Sequence, residues 1–130
     1  MSNPTKSLIY SCSGCCNLAR MAHDIALNID KDGMAEMACI SGVMGRVPQQ
    51  VEKISANRPI IVIDGCEQAC TKSCLDLCSL TPEHYFNLES LGFELRDKWD
   101  ESLVENFQAL NLIYKELLAT SYSFENGVKS

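Results

Sequence analysis

The sequence predicts an α/β fold with a small, mostly parallel four-stranded sheet covered by helices on both faces. Short apolar runs alternate along the chain with segments whose apolar residues recur at helical spacing, the pattern of a parallel sheet built through crossover helices. The strongest run, residues 59–63, is continuously apolar, as a strand buried on both faces must be. Clusters of Gly, Ser, Asp and Pro follow the runs where the chain has to turn.

Residues 7–10 form the first predicted strand, closed by Ser11, Cys12, Ser13, Gly14, Cys15 and Cys16. Leu18, Met21, Ala22, Ile25 and Ile29 then share one helical face, predicting an amphipathic helix over 16–30 that ends near Gly33. A second strand is expected over 35–40, followed by a tight loop through Gly42 and Gly45. Pro48 suits the first turn of the next helix, with Val51 and Ile54 facing inward. Asn57, Arg58 and Pro59 end that helix and lead into the strand over 59–63. A helix is expected from Cys66 to about residue 79, then a fourth strand over 85–88. Residues 100–120 close the chain as a long helix with Leu103, Phe107, Leu110, Tyr114 and Leu117 on one face and a capping box from Ser102 to Glu105. Right-handed crossovers between such elements give a three-layer, Rossmann-like order. We expect one domain over residues 1–122 and a frayed tail over 123–130.

Composition bounds the function. At 130 residues the chain fits one domain with a real core, and 46% apolar with 22% charged residues is ordinary for a folded protein. A net charge of −6 and an isoelectric point near 4.8 disfavour nucleic acid and anionic lipid, both of which demand a basic face. No apolar stretch approaches the length of a membrane span, and the first residues lack the apolar stretch of a signal peptide, so the cytoplasm is expected. Eight cysteines in a reducing compartment point to metal or redox chemistry rather than to a disulfide framework.

Where those cysteines fall along the chain sharpens the point. Functional groups of open α/β sheets collect beyond the carboxyl ends of the strands, where the strand order reverses. Cys12 and Cys15 follow the first predicted strand, Cys39 ends the second, and Cys66 follows the third, so three chain segments are expected to deliver thiols to one edge. Cys12 and Cys15 form a C-x-x-C pair in a turn, which suits a tetrahedral ion with sulfurs at about 2.3 Å and suits thiol redox chemistry equally. Cys66 and Cys70, four apart, are expected on one face of a helix, with Cys66 at its N-terminus, where the macrodipole favours thiolate. That ladder continues through Cys74 to Cys78, which on a helix stands roughly 18 Å from Cys66, so one ion cannot take all four. Cys74 and Cys78 are therefore expected to pack, as Cys16 is. Cys39, at the end of a strand, can face either the core or the loop edge. Asp64 is expected as a helix cap or as a group orienting a ligand.

Other chemistries lack their residues. An oxyanion-cradling phosphatase loop needs Cys, five residues and Arg, and Arg20 lies one residue too close to Cys15 and too far from Cys12. Glycine-rich nucleotide-binding motifs follow none of the strands. Four thiolates would serve an iron–sulfur cluster as well as zinc.

The Cys12-Ser13-Gly14-Cys15 turn, the Ala38-Cys39-Ile40 segment with its glycine loop, and above all Ile63-Asp64-Gly65-Cys66 with Cys70 resemble the DGC domain family over residues 7–97. Members are described as zinc-binding through four cysteines, and on that likeness the four are Cys12, Cys15, Cys66 and Cys70. Where members often carry proline after the DGC cysteine, this chain has Glu67. The expected function is thus metal binding, with zinc in a closed thiolate site and Cys39 as a fifth thiol beside it, and no hydrolytic activity. The alternatives are a thiol oxidoreductase or sulfur-transfer enzyme in which Cys12 attacks, and an iron–sulfur carrier.

Overall fold

The computed structural model describes residues 6–12, 14–100 and 102–127, with side chains described as far as residue 120. Four strands form one sheet in the order β2-β1-β3-β4: β1 at Leu8–Ser11, β2 at Glu36–Met37, β3 at Ile60–Asp64 and β4 at His84–Asn87. All three pairings are parallel, so the expected α/β class holds and its mostly parallel sheet is entirely parallel. β3 is buried at all five positions, because it lies inside the sheet with helices over both faces.

The chain steps from β1 to β2 in one direction and from β2 past β1 to β3 in the other. With right-handed crossovers the connecting helices must then lie on opposite faces. α1, Asn17–Lys31, sits on one face with Ile9, Ile61, Ile63, Phe86 and Leu88, and is joined there by α5, Leu103–Gly127, through Ala109, Ile113 and Leu117. α2 at Ile40–Met44, α3 at Pro48–Ile54 and α4 at Cys70–Leu77 take the other face, where Leu8, Tyr10, Val43, Ile54, Ile60, Val62 and Leu75 form a second cluster. Successive residues of β1 alternate between the two clusters, as the two-residue period of a strand requires.

Four local expectations change. β2 is two residues long rather than six, since the chain leaves the sheet after Met37 to enter α2. The expected glycine loop over 41–45 is largely that short helix, capped by the Cys39 side chain. α4 begins at Cys70 and not at Cys66. Asp64, reaching up from the end of β3, accepts hydrogen bonds from the N–H groups of Thr71 at 2.9 Å and Lys72 at 3.0 Å and so sets the helix start. Residues 65–69 are spent on a turn that ends in Ala69, whose φ of 50° is in the left-handed region. α5 runs to Gly127, past the expected end at 120, and Glu105 N donates to Ser102 Oγ at 3.3 Å, one half of the anticipated capping box.

Candidate metal centre

The carboxyl ends of β1 and β3 lie side by side at the point where the strand order reverses. Cys12 leaves β1 there, its N–H donating to Ile63 O at 3.3 Å, and its Sγ accepts from the Gly65 N–H at 3.0 Å. The first cysteine loop is thereby fastened to the second. Gly65 itself has no room for a side chain: a Cβ would stand 2.5 Å from Ala19 N and 2.6 Å from Leu18 C, in the backbone of α1. In the Asp64-Gly65-Cys66 triplet Asp64 starts α4, Gly65 lets the loop press against α1, and Cys66 presents the thiol.

Hydrogen bonds from three sides hold the loop. Asp64, fully buried, also accepts from the Tyr85 hydroxyl at 3.3 Å, and Asn87 Nδ2 donates to Cys66 O at 2.8 Å and to the Tyr85 hydroxyl at 3.2 Å. The Glu67 N–H donates to Glu89 Oε1 at 2.9 Å. On the other side Asn17, buried at the start of α1, donates from Nδ2 to Glu94 O at 3.0 Å, while its own N–H donates to Arg96 O at 3.2 Å and its Oδ1 accepts from Arg96 N–H. Sequence reasoning missed Gly65, Asn17, Tyr85 and Asn87 as supports, since each works through a partner far along the chain. A glycine wedged between an acid and a cysteine at a strand end was the one visible signal.

Cys12 and Cys66 are half-buried, and Cys15 and Cys70 are exposed. Burial pushes the Cys12 thiol up to about 12, against the pull of the Gly65 N–H and helped by charge on Asp64, Cys16 and Cys15. Cys70 is raised too, by burial first and then by charge on Asp64, Cys66, Cys15 and Cys74. Charge on Cys15 is felt at both Cys12 and Cys70, so the two cysteine loops lie within electrostatic reach of each other. Cys66 and Cys70 come from a turn and a helix start rather than from one helical face. Among the described residues no three Cys, His, Asp or Glu side chains converge on a point that would hold a metal ion. The donor chemistry suits a thiophilic ion, and the loops stand together. The thiols themselves would have to rotate inward to close on one.

Cys39 caps α2, on the same face of the sheet as α4, with Sγ 3.1 Å from Ser41 Oγ and accepting from the Gly42 N–H at 3.4 Å, and both bonds hold its thiol below the usual range. Its electrostatic neighbour is Tyr10, whose buried hydroxyl has no hydrogen-bond partner among the described residues and is pushed up to about 12 chiefly by burial. Cys16 caps α1, accepting from Ala19 N–H at 3.4 Å, and joins the core. Cys78 packs beneath Leu75 in the second cluster, while Cys74 is half-buried on α4. His84 stacks on Phe86 with ring centroids 6.4 Å apart.

With Asp64, Gly65 and Cys66 placed, the comparison with known proteins is decisive. The sequence profile of the DGC domain matches residues 8–110. The chain belongs to the DGC domain family. It is also 43% identical over 89 residues to the anaerobic and virulence modulator AnvM of Pseudomonas aeruginosa, a match covering 68% of each protein. No solved structure matches the chain significantly. The family match spans β1 to the first third of α5, so it contains both cysteine loops and the switch point between them.

Proposed function

We propose that this DGC domain binds a thiophilic metal ion, zinc by preference, through Cys12, Cys15, Cys66 and Cys70 in the reducing cytoplasm. The observation that carries the reading is the bond from Gly65 N–H to Cys12 Sγ, which ties the two cysteine loops together at the switch point of the sheet. That all eight cysteines are free thiols supports both the donor chemistry and the compartment. A bound ion would cross-link the β1–α1 and β3–α4 loops and, closed by four thiolates, would leave no open position for a substrate. The chain's own part is to hold the loops in register: Asp64 fixes Cys70 at the start of α4, Asn87 fixes the Cys66 carbonyl, and Asn17 anchors the helix behind Cys15.

Protein purified without oxygen from a cytoplasmic host is expected to carry about one metal ion per chain by elemental analysis, a colourless preparation favouring zinc over an iron–sulfur cluster. Cys66→Ser should lower that content by tenfold or more in affinity, as loss of a ligand does, and Cys39→Ser should leave it unchanged. Absence of stoichiometric metal in the anaerobic preparation would sink the reading.

A further inference from the structure

α5 carries more apolar surface than the sheet can use. At 100° per residue its buried residues Ala109, Ile113 and Leu117 span an arc of about 80°, while Leu103, Val104, Phe107 and Leu118 span another of about 100°. Half-buried Leu110 lies between the two, and half-buried Tyr114 falls within the second. The apolar face thus takes up roughly 220° of the helix, against the ~100° that covering a sheet requires. The surplus is uncovered: Leu103 is 80% exposed, Val104 66%, Phe107 65% and Leu118 56%. Beside it on α1 Leu27 is 46% exposed, and a groove of about 530 Å³ between the two helices combines apolar walls from Ile25, Leu103, Phe107 and Leu110 with the polar groups of Asp24 and Asn28.

Charge and size narrow what covers this face. Between residues 103 and 118 the charged side chains are Glu105, Lys115 and Glu116, and Glu105 is paired with Arg96. The α5 side of the face is therefore close to neutral in a chain whose net charge is −6, and α1 adds Asp24 in the groove and Asp32 beside Tyr114. The face lacks the basic rim that an anionic membrane needs and offers no block of acidic residues to a basic partner, and a second copy meets it with apolar side chains while each Asp24 stays at the groove's polar side. The exposed side chains of Leu27, Leu103, Val104, Phe107 and Leu118 present on the order of 500 Å² of apolar surface. An interface of standard size uses about 800 Å² per partner, of which ~56–65% is apolar, so the patch matches one half of a stable dimer. Projecting side chains and a groove lie on the same face, and a twofold axis satisfies both at once.

We propose that the α1–α5 face is the interface of a homodimer, in which Leu103 and Phe107 of each copy fill the groove of the other about a twofold axis. The interface is independent of the cysteine loops and of any ion they hold. Sedimentation of the full, reduced chain from nanomolar to high micromolar concentration, with and without a chelator, should show reversible assembly to twice 14.4 kDa in both conditions. Phe107→Asp should weaken the dimer by at least about 100-fold while leaving the circular dichroism spectrum and the metal content unchanged. Leu77→Asp, at an equally exposed leucine on α4, should leave assembly intact. A mass of one chain at every concentration overturns the proposal, including the case in which vesicles or a different protein then occupy the face. So does a dimer that persists with Phe107→Asp and Leu103→Asp combined.

Discussion

Two cysteine-bearing loops leave the same edge of the sheet and meet opposite environments. The Cys12 loop enters the layer of α1, where it is half-buried, receives an N–H from Gly65 and has its thiol pushed up to about 12. The Cys39 loop enters the layer of α2, stays exposed, and has its thiol lowered by Ser41 and Gly42. Both are cysteines just beyond a strand, so the strand end brings a residue to an edge and the next two or three residues choose the face. In a three-layer fold the faces are separated by the sheet itself, and convergence on an edge is not convergence on a site.

The widest contrast between the loops is in their glycines. Gly65 and Gly42 would each place a Cβ at 2.5 Å from a neighbour, but for Gly65 the neighbour is the backbone of α1 and for Gly42 it is Cγ of the Gln50 side chain. Gly65→Ala should cost about 3 kcal/mol or more in urea unfolding, because a packed helix cannot step aside, whereas Gly42→Ala should cost about 1 kcal/mol as Gln50 rotates away. Equal losses would mean that the two loops are gripped alike.

Asp64→Ala tests the support that the Cys39 loop lacks. It leaves the N–H groups of Thr71 and Lys72 and the Tyr85 hydroxyl without their acceptor and should cost about 2–3 kcal/mol, with Tyr85→Phe costing about 1 kcal/mol. A loss under about 0.5 kcal/mol for Asp64→Ala would show α4 starting without it.

Thiol chemistry gives the gentlest probe. Only the thiolate alkylates, so in metal-free protein Cys39, lowered, should react first with iodoacetamide at neutral pH. Cys12, pushed up to about 12 chiefly by burial, should label only as the pH climbs toward that value. Ser41→Ala should slow Cys39 severalfold by removing the contact that lowers it. Mass spectrometry of the peptides reads both rates, and a Cys12 that labels first would reverse the comparison.

Much of the fold was legible because its signals are local. The apolar run ending at Ile63, the helical spacing from Leu18 to Ile29 and the punctuation by Pro48 and Pro59 each report on a few neighbouring residues, and all four strands lie where such signals put them or within a few residues. The sequence placed Cys12 and Cys66 beyond the carboxyl ends of two parallel strands and so on one edge, but it is the strand order β2-β1-β3-β4 that makes those strands neighbours. Less was legible at the start of α4, because the acceptor that decides it, Asp64, lies in the preceding strand and not at the helix cap. The stripe of Leu103, Phe107, Leu110, Tyr114 and Leu117 was legible as apolar but not as inward, and only Leu117 of the five is fully buried.

By itself the sequence determined the class of the fold and the three cysteine-bearing segments that leave the carboxyl ends of its strands, since each of these follows from residue type and spacing. Tertiary structure alone decided that Cys39 caps α2 while Cys12 is bonded to Gly65 on the side of α1, that Gly65 is wedged against α1, and which side of α5 meets the sheet. Those outcomes rest on which layer a side chain enters, and a layer is defined by residues that are distant along the chain and adjacent only once it has folded.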